Sequence, residues 1–325
     1  MGAAPRIVVI GGGSGLAVLL RGLKSAVGRE IGDLKAVVTV SDDGGSSGRL
    51  RRDFGVLPPG DIRSCLVALA DDEDLVAKLF QYRFITGDGL SGHSFGNLLL
   101  TALTGITGDF YQAILTAEDI LAVRGKILPA TLVDVHLRAQ GVSSEVYEGE
   151  SAVGIAGEQI DHIELVPPRA PAFQDAVEAI RAADLVVLGP GSLYTSLLPN
   201  LLIPGILEAV KASAAPVVLP VNLMTQPGET DGMNAEHHLN ALDRHVGEGL
   251  VDTVLVNSTP LPEERLEHYA EVEAIPVAVD QKLLQARGLK LVERDLLDQG
   301  ELIRHDPEKL CLAIIEQLRD RVAAE

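Results

Sequence analysis

The sequence predicts an α/β protein of the Rossmann-like type, with a mostly parallel central sheet, helices on both faces and a small antiparallel β insertion. Two patterns predict the sheet. Short β-branched runs at residues 7–10, 37–40, 185–188 and 217–221 are apolar at successive positions, as strands covered on both faces are. These runs lead into Gly-rich or polar segments, and helical periodicity recurs between them. The insertion follows from a third pattern, because between about 130 and 168 apolar and polar residues alternate with a period of two. The chain, 1–325, shows no internal repeat and no clear linker, and reads as one such domain carrying the insertion.

Residues 6–10 are the first strand. Gly11, Gly12, Gly13, Ser14 and Gly15 follow, and residues 16–24 have helical periodicity. A strand, a Gly loop and a helix together place unpaired N–H groups at a helix N-terminus, where an anion is favoured. Against the dinucleotide fingerprint G-x-G-x-x-G the third glycine is missing, since Leu16 stands there.

The second strand, residues 37–40, runs into two adjacent carboxylates, Asp42 and Asp43, and then into Gly44, Gly45, Ser46, Ser47, Gly48 and Arg49. Neighbouring acids repel unless something nearby uses them. The segment after them is too rich in Gly and Ser to predict helix or strand, and its glycines let a ligand come close. Asp42 stands where a Rossmann-type site puts its ribose-reading carboxylate, and Arg49 offers a cation to a phosphate. The competing reading is a solvated acidic loop.

Residues 57–61 break the chain, and Asp61 is the expected N-cap of an apolar helix over 62–70. The acidic run Asp71, Asp72, Glu73 and Asp74 reads as a solvated helix junction, followed by an amphipathic helix over 75–84. His93 and Asn97 precede an apolar helix over 98–103. They either reach a ligand from the helix start or serve as a packed histidine and a cap.

Residues 131–137 and 159–165 alternate and give the insertion one wet face, on which His136 and His162 sit without assigned chemistry. Helix and strand resume at Phe173. A strand over 184–188 leads into Gly189, Pro190, Gly191, Ser192, Leu193, Tyr194, Thr195 and Ser196, a second strand end suited to an oxyanion. A strand over 216–221 leads into Asn222 and a polar loop reaching Gly232, longer than a turn requires. A strand over 252–257 closes in Asn257, and 276–279 is a further strand candidate. Asp306 caps the last helix and Pro307 opens it, with an end expected near Val322.

Composition narrows the function. A net charge of −19 argues against nucleic acid and anionic membrane surfaces as partners. Aromatic residues are 3% and Trp is absent, which disfavours a site that stacks rings between several aromatics. Cys65 and Cys311 lie far apart inside apolar helical patterns and read as buried thiols in a reducing compartment. No run approaches the ~18 apolar residues of a membrane span, and the N-terminus lacks signal-peptide order, so a cytoplasmic location is expected.

In an open parallel sheet, loops far apart in sequence converge at the carboxyl ends of the strands. Phosphates would then lie on the amides of residues 11–15 and 189–192. Asp42 or Asp43 would accept from a ribose or sugar hydroxyl, or hold Mg²⁺ against a diphosphate, with Asp43 the metal candidate. Asn222 and Asn257 offer paired donors and acceptors to a base edge or a sugar.

Taken together, Gly11 to Gly15, the runs 41–50 and 55–63, Gly92-His93-Ser94-Phe95-Gly96-Asn97, and the runs 189–196 and 222–232 resemble the bacterial YvcK group, the gluconeogenesis-factor family. The resemblance extends from residue 6 to about residue 260, with Ser14 where the family often has Thr. It implies the fold of the CofD enzymes, 2-phospho-L-lactate transferases that act on a deazaflavin and a guanosine diphosphate conjugate. For the YvcK branch it implies binding of UDP-sugars such as UDP-N-acetylglucosamine. It also implies a requirement in cell shape and wall synthesis during gluconeogenic growth, and a protein partner in wall-precursor synthesis.

Two functions are therefore weighed. One is a nucleotide-sugar-binding regulator. The other is a metal-assisted phosphotransferase of the CofD type, with Asp42, Asp43 and Arg49 as its candidate catalytic groups. The sequence shows no acceptor pocket, and few aromatics are available for a deazaflavin. Ser192 and Thr195 have no histidine nearby in sequence, although the fold can bring His93 or His237 close. The regulator reading is preferred, and a nicotinamide dehydrogenase is disfavoured by the missing glycine. A homodimer is expected because most soluble oligomers are of that kind.

Overall fold

The chain is described here by a computed structural model covering residues 4–71 and 75–324. It opens with β1 (Arg6–Gly11), α1 (Gly13–Leu23), β2 (Asp33–Val38), α2 (Gly45–Phe54), α3 (Gly60–Leu69), α4 (Leu75–Gln81), α5 (Phe95–Thr107), α6 (Phe110–Leu121) and β3 (Lys126–Pro129). The insertion follows as β4 (His136–Gly141), β5 (Val146–Glu148), α7 (Glu150–Val153) and β6 (Ile160–Val166). Next come α8 (Gln174–Arg181), β7 (Leu185–Leu188), a π-helical turn (Leu193–Leu197), α9 (Leu198–Leu201), α10 (Pro204–Ala212) and β8 (Val217–Pro220). The chain closes with α11 (Ala235–Val246), β9 (Thr253–Asn257), α12 (Glu263–Ala270), α13 (Gln281–Ala286), β10 (Lys290–Arg294) and α14 (Pro307–Ala324).

The central sheet has seven strands in the order β10-β9-β8-β7-β1-β2-β3, and every pairing in it is parallel. From β1 the chain moves outward through β2 and β3 on one side. It then returns to place β7 on the other side of β1 and moves outward again through β8 to β10. The strand order therefore reverses between β1 and β7, which opens a crevice at the carboxyl ends of those two strands. Strands β1 and β7 are apolar at successive positions because helices cover both faces. Ile7, Val9, Ile10 and all four residues of β7 are fully buried. Helix α1 packs beside them with Leu16, Leu19, Leu20 and Leu23 inside, the i, i+3, i+4, i+7 stripe of an amphipathic helix.

The insertion forms a separate antiparallel sheet in the order β5-β4-β6. Its alternation is as expected: Leu137, Ala139, Ile163 and Leu165 are buried, while His136 and His162 are exposed. Both cysteines are free and buried, and among the described residues no single helix is long and apolar enough to cross a membrane.

Several local expectations are corrected. Strand β2 ends at Val38, so Asp42 and Asp43 lie in a loop beyond it. The Gly- and Ser-rich stretch after them is helical: α2 begins at Gly45 and contains Gly48 and Arg49. Interior glycine costs a helix up to about 1 kcal/mol, but packing decides here. Ser46, Ser47, Gly48, Leu50 and Arg51 are buried, and a Cβ on Gly48 would stand 1.9 Å from the Asp43 carbonyl oxygen. Asp61 is not the cap of α3; Pro59 holds that position and Asp61 lies in the first turn. Ser94, rather than Asn97, caps α5 by accepting from the Asn97 N–H. Helix α4 ends at Gln81, short of residue 84. Residues 131–135 precede β4, and 276–279 form no strand, only an isolated bridge from Pro276 to Met224. The outer strand is instead β10. Asp306 does cap α14, accepting from the N–H groups of Glu308 and Lys309 at 2.9 Å each. Of the acidic run at 71–74, residues 72–74 lie outside the described residues.

Candidate functional site

Two Gly loops meet at the reversal of strand order. Gly12 is extended and precedes α1; Gly13, with φ +64°, starts the helix, and Ser14 and Gly15 continue its first turn. The loop after β7 comes so close that a Cβ on Gly15 would stand 2.6 Å from the Pro190 carbonyl oxygen and 2.7 Å from Gly191 Cα. Between and above the loops lies a cavity of about 560 Å³, lined by Gly12, Gly13, Ser14, Gly15, Gly191, Ser192, Thr195 and Asn222 among others. Gly11 and Gly189 lie just beneath, holding the loops to the sheet: Gly189 N–H donates to Ile10 and the Gly11 carbonyl accepts from Thr39 and Asn200.

The far loop is braced by side chains. Asn222 Oδ1 accepts from Gly191 N–H at 3.3 Å and its Nδ2 donates to the Gly191 carbonyl at 2.8 Å. Ser192 Oγ accepts from Thr195 N–H at 3.1 Å and lies 2.6 Å from Thr195 Oγ1. Ser192 Oγ also donates to Glu229 Oε2, and Thr195 Oγ1 lies 3.2 Å from Glu229 Oε1. Burial pushes the Glu229 carboxyl up, opposed by these hydroxyl bonds. The hydroxyls at the β7 loop thus meet a carboxylate. His93 bonds Ser46, and His237 completes the capping box of α11.

A second group of acids backs the α1 loop. The Asp61 carboxylate stands against Gly12, where a Cβ would meet its Oδ2, and the Gly13 N–H favours its ionised form. Its carboxyl is held at about 7, by burial first and by the neighbouring Asp42 second. Asp42 is also pushed up by burial, against hydrogen bonds from Ser47 and from Gly44 N–H at 2.8 Å. Gly44 is the N-cap of α2, and Gly45, with φ +42°, is its first residue. Arg63 is the cation beside Asp61 and Asp42. Asp43 turns the other way, toward the insertion, and accepts from Ser151 N–H and Oγ. That contact seats α7 so that Glu150 lines the cavity. Its carboxyl is raised to about 10, chiefly by burial and then by Asp61, Asp42, Asp43 and Glu229.

Other expected site residues do not line this cavity. His93 Nδ1 lies 2.9 Å from Ser46 Oγ; Asn97 donates to Ser46 at 3.1 Å and accepts from Arg63 Nε at 2.9 Å. They form a buried network behind Arg63. Arg49 donates to the Ser91 carbonyl at 2.7 Å. Asn257 accepts from Leu296 N–H at 3.0 Å and donates to the Thr259 carbonyl at 2.6 Å; it borders a smaller slot of about 230 Å³ that shares Asn222 with the main cavity.

The cavity also presents residues that sequence reasoning did not single out: Glu150, Gln226, Glu229, Tyr269, Arg304 and His305. Gln226 and Glu229 stand in the long polar loop after β8, whose length was the signal. Glu150, Tyr269, Arg304 and His305 come from an insertion, an outer helix and the connection before α14, and carried no local signal.

Among the described residues no three His, Cys, Asp or Glu side chains stand close enough to cage a metal. Magnesium is ordinarily held by one or two carboxylates together with ligand phosphates and water. Asp42 and Asp43 each already accept a backbone N–H on Oδ1, from Gly44 and from Ser151, and Asp42, Asp43 and Asp61 stand behind the cavity wall rather than on it.

Comparison with known proteins agrees with this architecture. A family model described as 2-phospho-L-lactate transferase CofD matches residues 7–297. The chain is 46% identical over 321 residues to the gluconeogenesis factor of Bacillus subtilis strain 168, covering 98% of this chain and 100% of that one. It is 48% identical over 311 residues to the gluconeogenesis factor of Halalkalibacterium halodurans, covering 95% of each. The crystal structure of a UPF0052-family protein from Bacillus halodurans superposes with a TM-score of 0.92 at 46% identity, over 96% of this chain and 99% of that one.

Proposed function

Since this chain belongs to the CofD family, among its gluconeogenesis factors, we propose that its crevice binds a nucleotide sugar of the UDP-N-acetylglucosamine kind and that the protein acts as a regulator. In this reading the bound state alters how the protein meets a partner in wall-precursor synthesis, and so governs cell shape during gluconeogenic growth. The observation that carries it is the pairing of two walls in one cavity. One wall is the first turn of α1 and Ser192, whose N–H groups suit a diphosphate, with the Gly191 N–H taken by Asn222. The other holds Glu150, Gln226, Glu229 and His305, which suit hydroxyl and amide donors. Arg304 adds a cation for phosphate and Tyr269 a ring surface for a base. A phosphate beside Asp61 requires that carboxyl to be protonated or a cation to stand between them. Because Asp42, Asp43 and Asp61 stand behind the cavity wall, a magnesium ion accompanying a diphosphate would be held chiefly by phosphate oxygens and water, and would supply charge neutralisation.

The test is a thermal-shift series with UDP-N-acetylglucosamine, UDP-glucose, GDP and NAD, each with and without Mg²⁺. A ligand at ~100 times its dissociation constant adds about 2.7 kcal/mol. Stabilisation by UDP-sugars with no release of nucleotide is the expected result, and stabilisation by GDP alone would refute it.

A second reading, a CofD-like transferase, is favoured by one contact. Ser192 Oγ donates to the buried Glu229 carboxylate, an arrangement that can take a proton from a hydroxyl. Release of a nucleoside monophosphate or diphosphate from a conjugate would move the assignment to that reading.

A further inference from the structure

One side of the cavity leaves hydrogen-bonding capacity unspent. Glu150 Oε2, Gln226 Oε1 and His305 Nε2 are buried atoms without a partner, and all three residues line the same cavity. Most buried polar atoms in native proteins are paired, so three unpaired atoms on residues of one cavity wall mark capacity that a ligand entering the cavity completes as those side chains turn toward it.

The chemistry of each atom says what it asks for. His305 is 8% exposed, and burial holds its ring at about 4, hence neutral. The Val221 backbone beside the ring favours its protonated form. In the tautomer that turns Nδ1–H to the Val221 carbonyl, Nε2, the partnerless nitrogen, keeps a lone pair. Gln226 Oε1 can only accept. The Gln226 backbone is fixed, since its N–H donates to Thr230 Oγ1 at 2.8 Å and its carbonyl accepts from Glu229 and Thr230. Glu150 faces Asp61, Asp42, Asp43 and Glu229, so it answers to charge as well as to hydrogen bonding. The uncharged pair is the cleaner reader.

We infer that His305 Nε2 and Gln226 Oε1 are specificity-determining acceptors for the non-phosphate part of the ligand, and that this part is a sugar presenting O–H or amide N–H donors. The inference rests on the nucleotide-conjugate reading and adds the residues that select the conjugate over the bare nucleotide. A nucleobase imide N–H is the other source of such donors. The two sources separate when the sugar is absent.

The experiment measures affinity by calorimetry for UDP and for UDP-N-acetylglucosamine, using the full-length wild type, Gln226→Met and His305→Asn. Met replaces Gln at nearly the same volume without the acceptor, and Asn keeps a donor for the Val221 carbonyl. The expected result is a loss of about tenfold or more in affinity for the sugar conjugate in each variant, with UDP affinity within about twofold of wild type. Because an unpaired acceptor is being removed, the ligand-free Gln226→Met protein should melt no lower than wild type. Equal losses for UDP and the conjugate would overturn the assignment by tracing the donors to the base or the effect to structure. Unchanged affinities would overturn it too. If the wild type binds UDP but not the conjugate, the sugar assignment fails while a nucleotide site stands; if it binds neither, the nucleotide reading falls and takes this inference with it.

Discussion

Asp43 and Ser151, 108 residues apart in the chain, are joined twice: Asp43 Oδ1 accepts from Ser151 N–H at 2.9 Å and from Ser151 Oγ at 2.8 Å. Through this contact the loop after β2 holds the antiparallel insertion against the parallel sheet. Glu150 is the residue next to the clamp and lines the cavity, so a contact outside the cavity sets the position of a group inside it.

Asp43→Ala, which removes the acceptor of both bonds, should therefore act on binding more than on folding. The clamp is partly exposed, and its loss should cost roughly 1–2 kcal/mol of stability. Ser151→Ala, which removes one of the two bonds, should cost less, and the double variant should cost less than the two singles summed. Denaturant melts of the three proteins check the coupling. UDP-sugar titrations of the same proteins should show weaker binding wherever the clamp is broken.

Gly15→Ala tests the meeting of the two Gly loops. Alanine would favour the helix by up to about 1 kcal/mol, but its Cβ would press on Pro190 and Gly191 backbone atoms at 2.6 and 2.7 Å. Overpacking against backbone costs about 1–3 kcal/mol, so the expected sign is destabilising, with nucleotide binding lost. Gly105→Ala in α5 is the control. Nothing lies within 4 Å of its Cβ position and its φ is not in the left-handed region, so the variant should gain roughly 0.5–1 kcal/mol.

Asp61 makes the stability of the metal-free protein depend on pH. Its carboxyl is held at about 7 in the folded protein, against its ordinary 3.8. The folded state binds the extra proton between those values, so stability is greatest at the acid end and falls as pH rises through about 7. His305 works in the opposite direction, but only between about 4 and its ordinary 6.5. A melting series in EDTA from about pH 6.5 to 8 brackets the Asp61 titration, and comparison with Asp61→Asn separates it from other raised carboxyls. Wild type should lose stability across that window. Asp61→Asn should lose less and should be more stable at the alkaline end by roughly 1–2 kcal/mol after solvent screening. Glu118, whose carboxyl burial also raises to about 7, contributes a slope of the same sign to both proteins and cancels in the comparison, whereas Glu150, raised in part by Asp61, adds to the difference.

What could be read from the sequence was what local pattern encodes. Buried strands such as β7 announce themselves by continuous apolar residues, and the Gly loops after β1 and β7 by composition and position. The polar loop carrying Gln226 and Glu229 stood out by length. Helix α2 was not legible, because its glycines and serines are poor helix formers. It forms because Gly48 lets the chain pass Asp43 and Ser46 and Ser47 are buried, facts of tertiary contact. Arg49 and Asn257 stand off the main cavity for a related reason. Residue type and position at a strand end suggested ligand contact, whereas carbonyl and amide groups of neighbouring loops, at Ser91, Thr259 and Leu296, take up their bonds. Glu150, Tyr269, Arg304 and His305 reach the cavity from elements far along the chain. No spacing rule reports that convergence.

Glu229 separates regulator from enzyme. Its carboxylate accepts from Ser192 Oγ, lies 3.2 Å from Thr195 Oγ1 and is buried, while Ser192 in turn caps the turn after β7. If the carboxylate only orders the hydroxyls, Glu229→Gln should keep most of the affinity for a UDP-sugar, since the amide oxygen still accepts one bond. Glu229→Ala should leave Ser192 and Thr195 underbonded, cost about 1–3 kcal/mol of stability and weaken binding. Neither variant should change the release of UDP or UMP from UDP-N-acetylglucosamine with Mg²⁺, because the wild type should release none. If the carboxylate instead takes a proton during transfer, the wild type will turn over a conjugate. Glu229→Gln will then bind that conjugate normally and lose the rate by about 10²–10⁴-fold, the usual share of a general base. Quench-flow product analysis on wild type and Glu229→Gln, at a conjugate concentration that saturates both, distinguishes the two outcomes in a single experiment.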